Sequence, residues 1–326
     1  MAAPRAPAKG SGVKISSMHS LFKPHLPASA PVDISRRTSL LALATLALGA
    51  RNALAAPAPM IYRYWNWGNT PKRDEYQAAA LTLALQKTTP TYGPFSVLHV
   101  VDTMSTTRVR REINSGKRMN VQASPWRDLN ADDPMERAIM IGTPVLSGLL
   151  GYRRLIVRRN DLPKFKAITT AAQLKQLVAG QGRGWVDNAV LRHNGYQVVD
   201  SGNITTLLDM LASHRFDYLP ISVVEADFLM EKHAPLVDTL ALVPALMLYY
   251  PLPVMYYVSA NEPRLAQRLE VGLTMIKRDG SLDALTARYF VKEIELVKAS
   301  AGRCFTLVHP LLPKIYADEP PRLLGR

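Results

Sequence analysis

The sequence has little cysteine and only a short apolar run near its N-terminus, and each absence excludes a class of protein. Cys304 is the only cysteine in 326 residues. No intrachain disulfide can therefore form, and we expect Cys304 to be a small packed residue. No cysteine near residue 56 could carry a lipid anchor, and the apolar run at residues 40–50 is shorter than the roughly 20 residues of a membrane helix. We expect neither a disulfide scaffold nor a protein anchored through its N-terminus.

The N-terminal segment predicts export. Residues 35–41, Ser-Arg-Arg-Thr-Ser-Leu-Leu, resemble a twin-arginine signal, and Ala-Leu-Ala-Ala at residues 53–56 gives a small-residue cleavage pattern. We predict that residues 1–55 are removed near Ala55/Ala56 and that the protein is periplasmic. A general-secretion signal that contains two arginines is the alternative. Before this signal the chain is rich in Pro, Ala and Ser, and we expect it to be disordered or to precede a true start at Met18.

The charge is moderately basic once the signal is removed. The whole sequence carries a formal net charge of +14, but residues 56–326 hold 33 Lys and Arg against 25 Asp and Glu, a net charge of +8. The pairs Arg153-Arg154 and Arg158-Arg159 are separated by Leu, Ile and Val, which indicates solvated charges on a strand. This pattern does not favour a nucleic-acid partner. About 270 residues exceed what one core usually supports, which predicts two lobes.

Strand-like and helix-like segments alternate along the chain from Met60, which predicts an α/β protein with helices covering its sheets. The strands are predicted at residues 61–67, 95–101 and 216–221, and helices at residues 74–86, 171–178, 187–194, 205–213 and from 263 to a stop at 279. Ser105 is a good N-cap for a further helix that ends before Gly116. Met104 and Val109 are placed to form a hydrophobic staple there.

Several motifs of catalysis and cofactor binding do not occur. The glycine-rich residues 180–184 are not followed by Gly-Lys-Ser/Thr, so we interpret them as a turn and not as a phosphate-binding loop. The histidines of residues 56–326 lack metal-ligand spacing, and there is no Gly-x-Ser-x-Gly elbow. We predict no metal and no cofactor.

Three segments carry a resemblance to family-3 periplasmic solute-binding proteins, the amino-acid-type class. Residues 278–285, Arg-Asp-Gly-Ser-Leu-Asp-Ala-Leu, followed by Arg-Tyr-Phe at residues 288–290, resemble that family's closing helix pair. Residues 211–218 resemble its helix-turn-strand unit. Residues 148–153, Gly-Leu-Leu-Gly-Tyr-Arg, are similar to the segment that leads into the second lobe in a poorly characterised branch of transporter-substrate-binding-like proteins.

The resemblance implies a two-lobed α/β fold, periplasmic-binding-protein-like and of type II, in which the second lobe is inserted into the first and two hinge crossings join them. We predict lobe I at residues 56–147 plus 252–326 and lobe II at residues 148–251. Residues 145–150 and the proline-broken residues 248–254 are the predicted hinge strands.

The resemblance also suggests where a carboxylate would bind. It assigns the family's carboxylate-binding arginine to Arg137, downstream of Ser124, and a guanidinium suits that role because it forms two parallel hydrogen bonds with a carboxylate. An exposed helix arginine paired with Asp133 or Glu136 is the alternative.

The family's acidic residue that holds a ligand ammonium group corresponds to Ser222 in this sequence. A hydroxyl cannot form that ion pair, so an ordinary α-amino acid ligand is in doubt. Glu225 or Asp227 takes the role if the alignment slips by a few residues.

Aromatic residues crowd the end of the first predicted strand. Trp65 and Trp67 share one face under strand alternation, where they could stack on a ring, cover an aliphatic ligand or pack under the neighbouring helix. Arg108 and Asp187 lie near predicted helix starts and are further ligand candidates, although a capping or surface role suits both.

We therefore expect a monomeric extracytoplasmic solute-binding protein that captures a small polar, carboxylate-bearing solute for a membrane transporter, such as an ABC transporter, or for a sensor. An enzyme on the same scaffold, similar to cyclohexadienyl dehydratases, is one alternative and would need Asp217 or Glu225 as its acid or base. A ligand-sensing partner of a signalling receptor is the other.

Overall fold

The computed structural model describes residues 58–68, 70–102, 104–129, 137–233, 238–317 and Leu323. The predicted export signal at residues 1–55 lies outside the described residues. Residues 57–326 form one compact unit. No helix in the described part of the chain is long and apolar enough to cross a membrane.

Strands and helices alternate along this unit. The described strands are β1 (Met60–Trp65), β2 (Phe95–Val100), β3 (Val121–Pro125), β4 (Ala138–Met140), β5 (Tyr152–Arg158), β6 (Val178–Gly182), β7 (Gln197–Gly202), β8 (Tyr218–Ser222), β9 (Leu240–Tyr249), β10 (Val254–Ser259) and β11 (Cys304–Thr306). The described α-helices are α1 (Pro71–Lys87), α2 (Thr89–Tyr92), α3 (Thr106–Ser115), α4 (Leu162–Lys166), α5 (Ala171–Lys175), α6 (Asp187–His193), α7 (Leu207–Ala212), α8 (Ala226–Lys232), α9 (Pro263–Arg278), α10 (Ser281–Tyr289), α11 (Val291–Ala299) and α12 (Lys314–Ala317).

The strands form two sheets. The first sheet has the order β2-β1-β3-β10-β4, and the second has the order β11-β9-β5-β8-β6-β7. In the first sheet β1 is parallel to β2 and β3, while β10 is antiparallel to β3 and β4. The chain builds β1 to β4 in the first sheet, forms β5 to β9 in the second and returns to the first for β10. This path of the chain confirms the predicted α/β fold, in which the part that forms the second sheet is inserted into the part that forms the first.

Two crossings between the sheets lie side by side. Val145, just before the 3-10 segment Leu146–Gly151, donates its backbone N–H to the carbonyl of Val254 over 2.8 Å. On the return crossing, the N–H of Tyr250 reaches the carbonyl of Gly151. The C-terminal strand β11 pairs with β9 in the second sheet. The lobe boundaries given above stay a prediction.

Helix α1 is fixed against α9 at its C-terminal end. A Cβ on Gly272 of α9 would lie 2.3 Å from the carbonyl oxygen of Ala84, so only glycine allows the two helices to approach this closely. The fully buried Arg268 donates to the carbonyls of Leu85, in the last turn of α1, and of Gly93, which follows α2. These contacts orient the other end of α1 towards the space between the two sheets.

Two sequence predictions about helix ends and turns have different outcomes. The hydroxyl of Ser105 accepts the N–H of Arg108 at the start of α3, and Gly116 follows its end with a φ of 66°, both as predicted. In contrast, the turn predicted at residues 180–184 is only partly right, because residues 180–182 belong to β6 and the turn is formed by Arg183 and Gly184. Glycine serves packing there: a Cβ on Gly180 would lie 2.2 Å from the ring of Phe216.

Candidate ligand-binding site

A cavity of about 370 Å³ lies between elements of the two sheets, and small-ligand sites commonly have volumes of about 300–1,000 Å³. Its first wall consists of residues from the ends of β1 and β3 and from the first two turns of α1. Its second wall consists of residues from β5, from the start of α6 and from the loop before α8. Because β1 and β3 are parallel, their carboxyl ends open on the same side of the sheet, where ligands bind in open α/β folds.

The first wall is aromatic. Trp65 ends β1, Trp67 follows two residues later, and Trp126 follows β3. The indole N–H of Trp65 donates to the carbonyl of Asp102 over 2.9 Å. Trp126 meets the ring of His309 edge-on, with 5.9 Å between centroids. Burial lowers the pKa of His309, although the negative charge of Asp187 opposes this effect.

A fourth tryptophan, Trp185, lines the cavity from the second wall. Its ring packs closely against Gly182, where a Cβ would lie 2.3 Å from a ring atom. All four tryptophans of the sequence therefore line this one cavity. Such rings offer large apolar surfaces with one polar N–H each.

The second wall is ionic. Arg153 on β5 is 3 % exposed and pairs with Asp187 in the first turn of α6, with 2.7 Å from Nη2 to Oδ1. The hydroxyl of Tyr250 donates to the same carboxylate oxygen, and burial raises the pKa of Tyr250 well above its usual range. Burial by itself would lower the pKa of Arg153, but Asp187, Tyr250 and Glu225 outweigh it and raise that pKa.

One ion pair joins the two walls. Arg73 in the first turn of α1 binds Glu225, which precedes α8, through Nη1 and Oε1. Both side chains are about one-tenth exposed. The guanidinium of Arg73 also lies over the ring of Trp67, with 5.1 Å from Cζ to the ring centroid. Because Glu225 also acts on the pKa of Arg153, the buried charges of the site form one electrostatic network.

Several lining residues carry a buried polar atom with no hydrogen-bond partner among the described residues. They include Arg73 and Arg153, each through Nε, and Gln122 on β3, which is 2 % exposed, through Oε1. Buried polar atoms without partners are rare in native proteins. A bound group could satisfy these two donors and this acceptor.

The buried acidic residues of the lining are already bonded. Asp187 and Glu225 are held by arginines, and Asp74 accepts the N–H of Gly68 over 2.8 Å and the hydroxyl of Thr70 over 3.3 Å. Burial raises the pKa of Asp74, and the charge of Arg73 opposes the shift. The site has spare hydrogen-bond donors on its cations but no buried carboxylate that lacks a bond.

Four of the sequence candidates line the cavity: Trp65, Trp67, Ser124 and Asp187. The hydroxyl of Ser124 accepts a hydrogen bond from Nη1 of Arg127 over 3.1 Å.

Three candidates lie elsewhere. Arg137 is exposed just before β4, and Arg108 is exposed on α3, where it pairs with Glu112 at 3.8 Å. Ser222 is fully buried behind the cavity, with its hydroxyl 3.4 Å from the carbonyl of Leu149. None of the three is among the lining residues of the cavity. Of the two alternative acid–base candidates, Glu225 lines the cavity, whereas Asp217 pairs with Arg158 away from it.

Sequence reasoning missed Arg73, Gln122 and Arg153 as site residues. The prediction of solvated strand charges is wrong for Arg153 and also for Arg154, which binds Asp227. The reason is that both faces of β5 are covered: Arg153 pairs with Asp187 at the start of α6, and Arg154 pairs with Asp227 on α8. A usable signal was the position of Arg153 as the last residue of the segment predicted to lead into the second lobe.

No family model matches the sequence, and no curated protein matches it. Among solved structures, a histidine kinase sensor domain with similarity to periplasmic binding proteins aligns with a TM-score of 0.49 and 17 % identity, over 71 % of this chain and 96 % of that one. The VFT2 domain of Bordetella pertussis BvgS aligns with a TM-score of 0.49 and 15 % identity, over 80 % and 100 % of the two chains. An ancestral arginine-binding protein bound to arginine aligns with a TM-score of 0.47 and 15 % identity, over 71 % and 98 %.

Proposed function

We propose that this chain is an extracytoplasmic solute-binding protein that encloses a small, carboxylate-bearing solute and presents it to a membrane transporter or a sensor. The observation that carries the proposal is the cavity between the two sheets, lined by the buried Arg153 with its unpartnered Nε. Guanidinium groups bind carboxylates through short, charge-assisted hydrogen bonds. The predicted export signal supports a periplasmic location.

The proposed binding mode uses both walls. Trp65 and Trp67 cover the apolar part of the solute, and Ser124 contributes a hydroxyl at the rim of the same wall. Asp187 holds the guanidinium of Arg153 in a fixed orientation, so that little side-chain entropy is lost when the solute binds. The adjacent crossings at Val145 and Tyr250 allow the two walls to separate and close around the solute as a monomer.

We do not propose the enzyme alternative, because neither of its acid–base candidates is suited to proton transfer. Asp217 lies away from the cavity and pairs with Arg158. Glu225 lines the cavity, but its carboxylate is already bound by the guanidinium of Arg73.

A thermal-shift screen of purified protein against carboxylates, amino acids, sugars and small peptides tests the proposal. A solute present at 100 times its Kd stabilises the fold by about 2.7 kcal/mol, which is readily measured as a rise in Tm. A screen in which no compound raises Tm at millimolar concentration would contradict the proposal.

A cavity-filling variant checks that a hit binds in the cavity. Ala123→Phe adds a ring to a half-buried lining residue of β3 and should abolish the Tm rise. Ala299→Phe adds the same ring at the exposed end of α11 and should leave the rise unchanged. Equal rises in both variants would show that the compound binds elsewhere.

A further inference from the structure

The balance of donors and acceptors in the cavity limits the charge of its ligand. Arg73 and Arg153 each use an Nη atom to bind a carboxylate of the protein, while each Nε has no partner among the described residues. Both side chains are at least nine-tenths buried. A buried guanidinium edge without an acceptor is unfavourable, and an anionic oxygen of the ligand would satisfy it.

The same balance disfavours an ammonium group on the ligand. A buried ammonium needs a countercharge, but Asp187 and Glu225 are already neutralised by arginines. Asp74 is bonded to Gly68 and Thr70, and burial raises its pKa, which disfavours its charged form. The buried acceptor without a partner among the described lining residues is the neutral amide oxygen of Gln122, which suits a hydroxyl or a ring N–H. Asp128, the remaining lining carboxylate, is exposed to water.

The shape and composition of the lining favour a ring. Four tryptophans reach the cavity from both walls, together with apolar side chains that include Met104, Leu150 and Leu311. The ring of Trp185 packs closely against Gly182 and also lines the cavity. Aromatic rings stack or meet edge to face with a favourable energy beyond that of area burial.

We infer that the ligand is an aromatic monocarboxylate without an α-ammonium group, whose carboxylate binds Arg153 and Arg73 and whose ring packs against the tryptophans. This inference rests on the proposed function, because it names the solute class of the same cavity. It differs from the assignment to Arg137, since the charge is recognised from β5 and α1 instead.

A ligand series on the unaltered protein tests the inference by isothermal titration calorimetry. The compounds are 3-(4-hydroxyphenyl)propionate, tyrosine, tyramine, hexanoate and glucose. Tyrosine adds only the ammonium group, tyramine replaces the carboxylate by an ammonium group, and hexanoate lacks the ring. We expect 3-(4-hydroxyphenyl)propionate to bind at least ten-fold more tightly than each of the others.

The outcomes separate the inference from the proposed function. If tyrosine or hexanoate binds as tightly as 3-(4-hydroxyphenyl)propionate, the inference is wrong while the proposed function stands. If none of these compounds binds and the broader solute screen is also negative, both are wrong. If only a solute of another class binds, the inference alone is wrong.

A conservative variant tests the role of Arg153. Arg153→Lys keeps the positive charge beside Asp187 but removes the planar fork, and we expect the affinity for 3-(4-hydroxyphenyl)propionate to fall at least ten-fold. The matched control is Arg192→Lys, which makes the same change in a half-exposed pair with Asp200 at 3.0 Å and should leave the affinity unchanged. Circular dichroism verifies folding of both variants, and an unaltered affinity in folded Arg153→Lys would overturn the assignment.

Discussion

The two walls of the cavity are built from different chemistry. The first wall, at the ends of β1 and β3, holds three of the four tryptophans and the amide of Gln122. The second wall holds Arg153, Asp187 and Glu225 in one buried network with a single tryptophan, Trp185. In the proposed binding mode the first wall mainly recognises the ring of the ligand, and the second wall, together with Arg73 of α1, recognises its charge.

The two walls also differ in what holds them together. Apolar rings of the first wall gain free energy from burial alone. The second wall carries charges whose removal from water is costly unless each keeps its partner. Changes in the second wall should therefore reduce stability most, and changes in the contacts between the walls should have smaller effects.

The largest expected effect is the loss of Arg153. Arg153→Met leaves Asp187 buried with only the hydroxyl of Tyr250 as a partner, and breaking a buried ion pair in this way costs about 3–5 kcal/mol. Urea denaturation should show this decrease in the free energy of unfolding. In the double variant with Asp187→Asn part of the loss should be recovered, because the uncompensated charge is gone.

The control for this prediction is Arg192→Met, which removes an arginine from a half-exposed pair. Surface pairs contribute about 0–1 kcal/mol, so the change should be small. A loss of less than about 1 kcal/mol in Arg153→Met would contradict the view that the second wall depends on its buried charges.

A smaller effect is expected where the second wall carries its one tryptophan. In Gly182→Ala the new Cβ would lie 2.3 Å from the ring of Trp185, so the ring must move. Overpacking of this kind costs about 1–3 kcal/mol, and the displaced ring should also weaken ligand binding. Gly302→Ala is the control, because its Cβ would meet nothing within 4 Å. Equal stability of the two variants would contradict the packing assigned to Trp185.

The contact between the walls should contribute less again. A double-mutant cycle with Arg73→Gln and Glu225→Gln should give a coupling energy of about 1 kcal/mol, since residues in direct contact couple by about 0.5–3 kcal/mol. The control cycle uses Lys298 and Glu295, an exposed pair at 3.0 Å on α11, for which we expect less than about 0.5 kcal/mol. Equal coupling energies in the two cycles would mean that the pair of Arg73 and Glu225 contributes no more than an exposed surface pair.

The sequence predicted the first wall better than the second, for a physical reason. Trp65 and Trp67 lie within and just after one strand, so strand alternation and the end of the element were enough to identify them. The helix start at Ser105 is also encoded locally, in its cap and staple residues. Local patterns of this kind are visible in any window of about ten residues.

The second wall depends on contacts between distant residues. Arg153 pairs with Asp187, which lies 34 positions later in the chain. Glu225 pairs with Arg73 of α1, a helix that packs on the first sheet. A charge pair on a strand has the same local pattern whether the faces of the strand are covered or exposed, so the burial of Arg153 could not be derived from its sequence neighbours. Arg137 was assigned by resemblance, but it is exposed. The assignment failed because a sequence motif fixes the order of residues and not the direction of a side chain.

The smallest expected effect concerns the pH dependence of Asp74, the buried carboxylate of the first wall. The pKa of Asp74 is 3.8 in the unfolded chain, and burial raises it in the folded protein. At a pH between the unfolded and the folded pKa, the carboxyl group is therefore ionised in the unfolded chain but still protonated in the folded protein. Stability therefore falls as pH rises through that window and stays lower above it. Asp74→Asn cannot ionise, so its stability relative to the unaltered protein should increase with pH in urea denaturation from pH 4 upward.

Asp227 on α8 should give the opposite pH dependence of stability. Its partial burial would raise its pKa, but Arg154 and Lys292 outweigh this and lower the pKa below 3.8. The ionised carboxylate therefore stabilises the fold at neutral pH, and this contribution is lost as pH falls through the lowered pKa. Asp227→Asn should be less stable than the unaltered protein, and this difference in stability should be largest at neutral pH. If both variants changed with pH in the same direction, the contrast between a buried carboxylate without an ion pair and a paired one would be refuted.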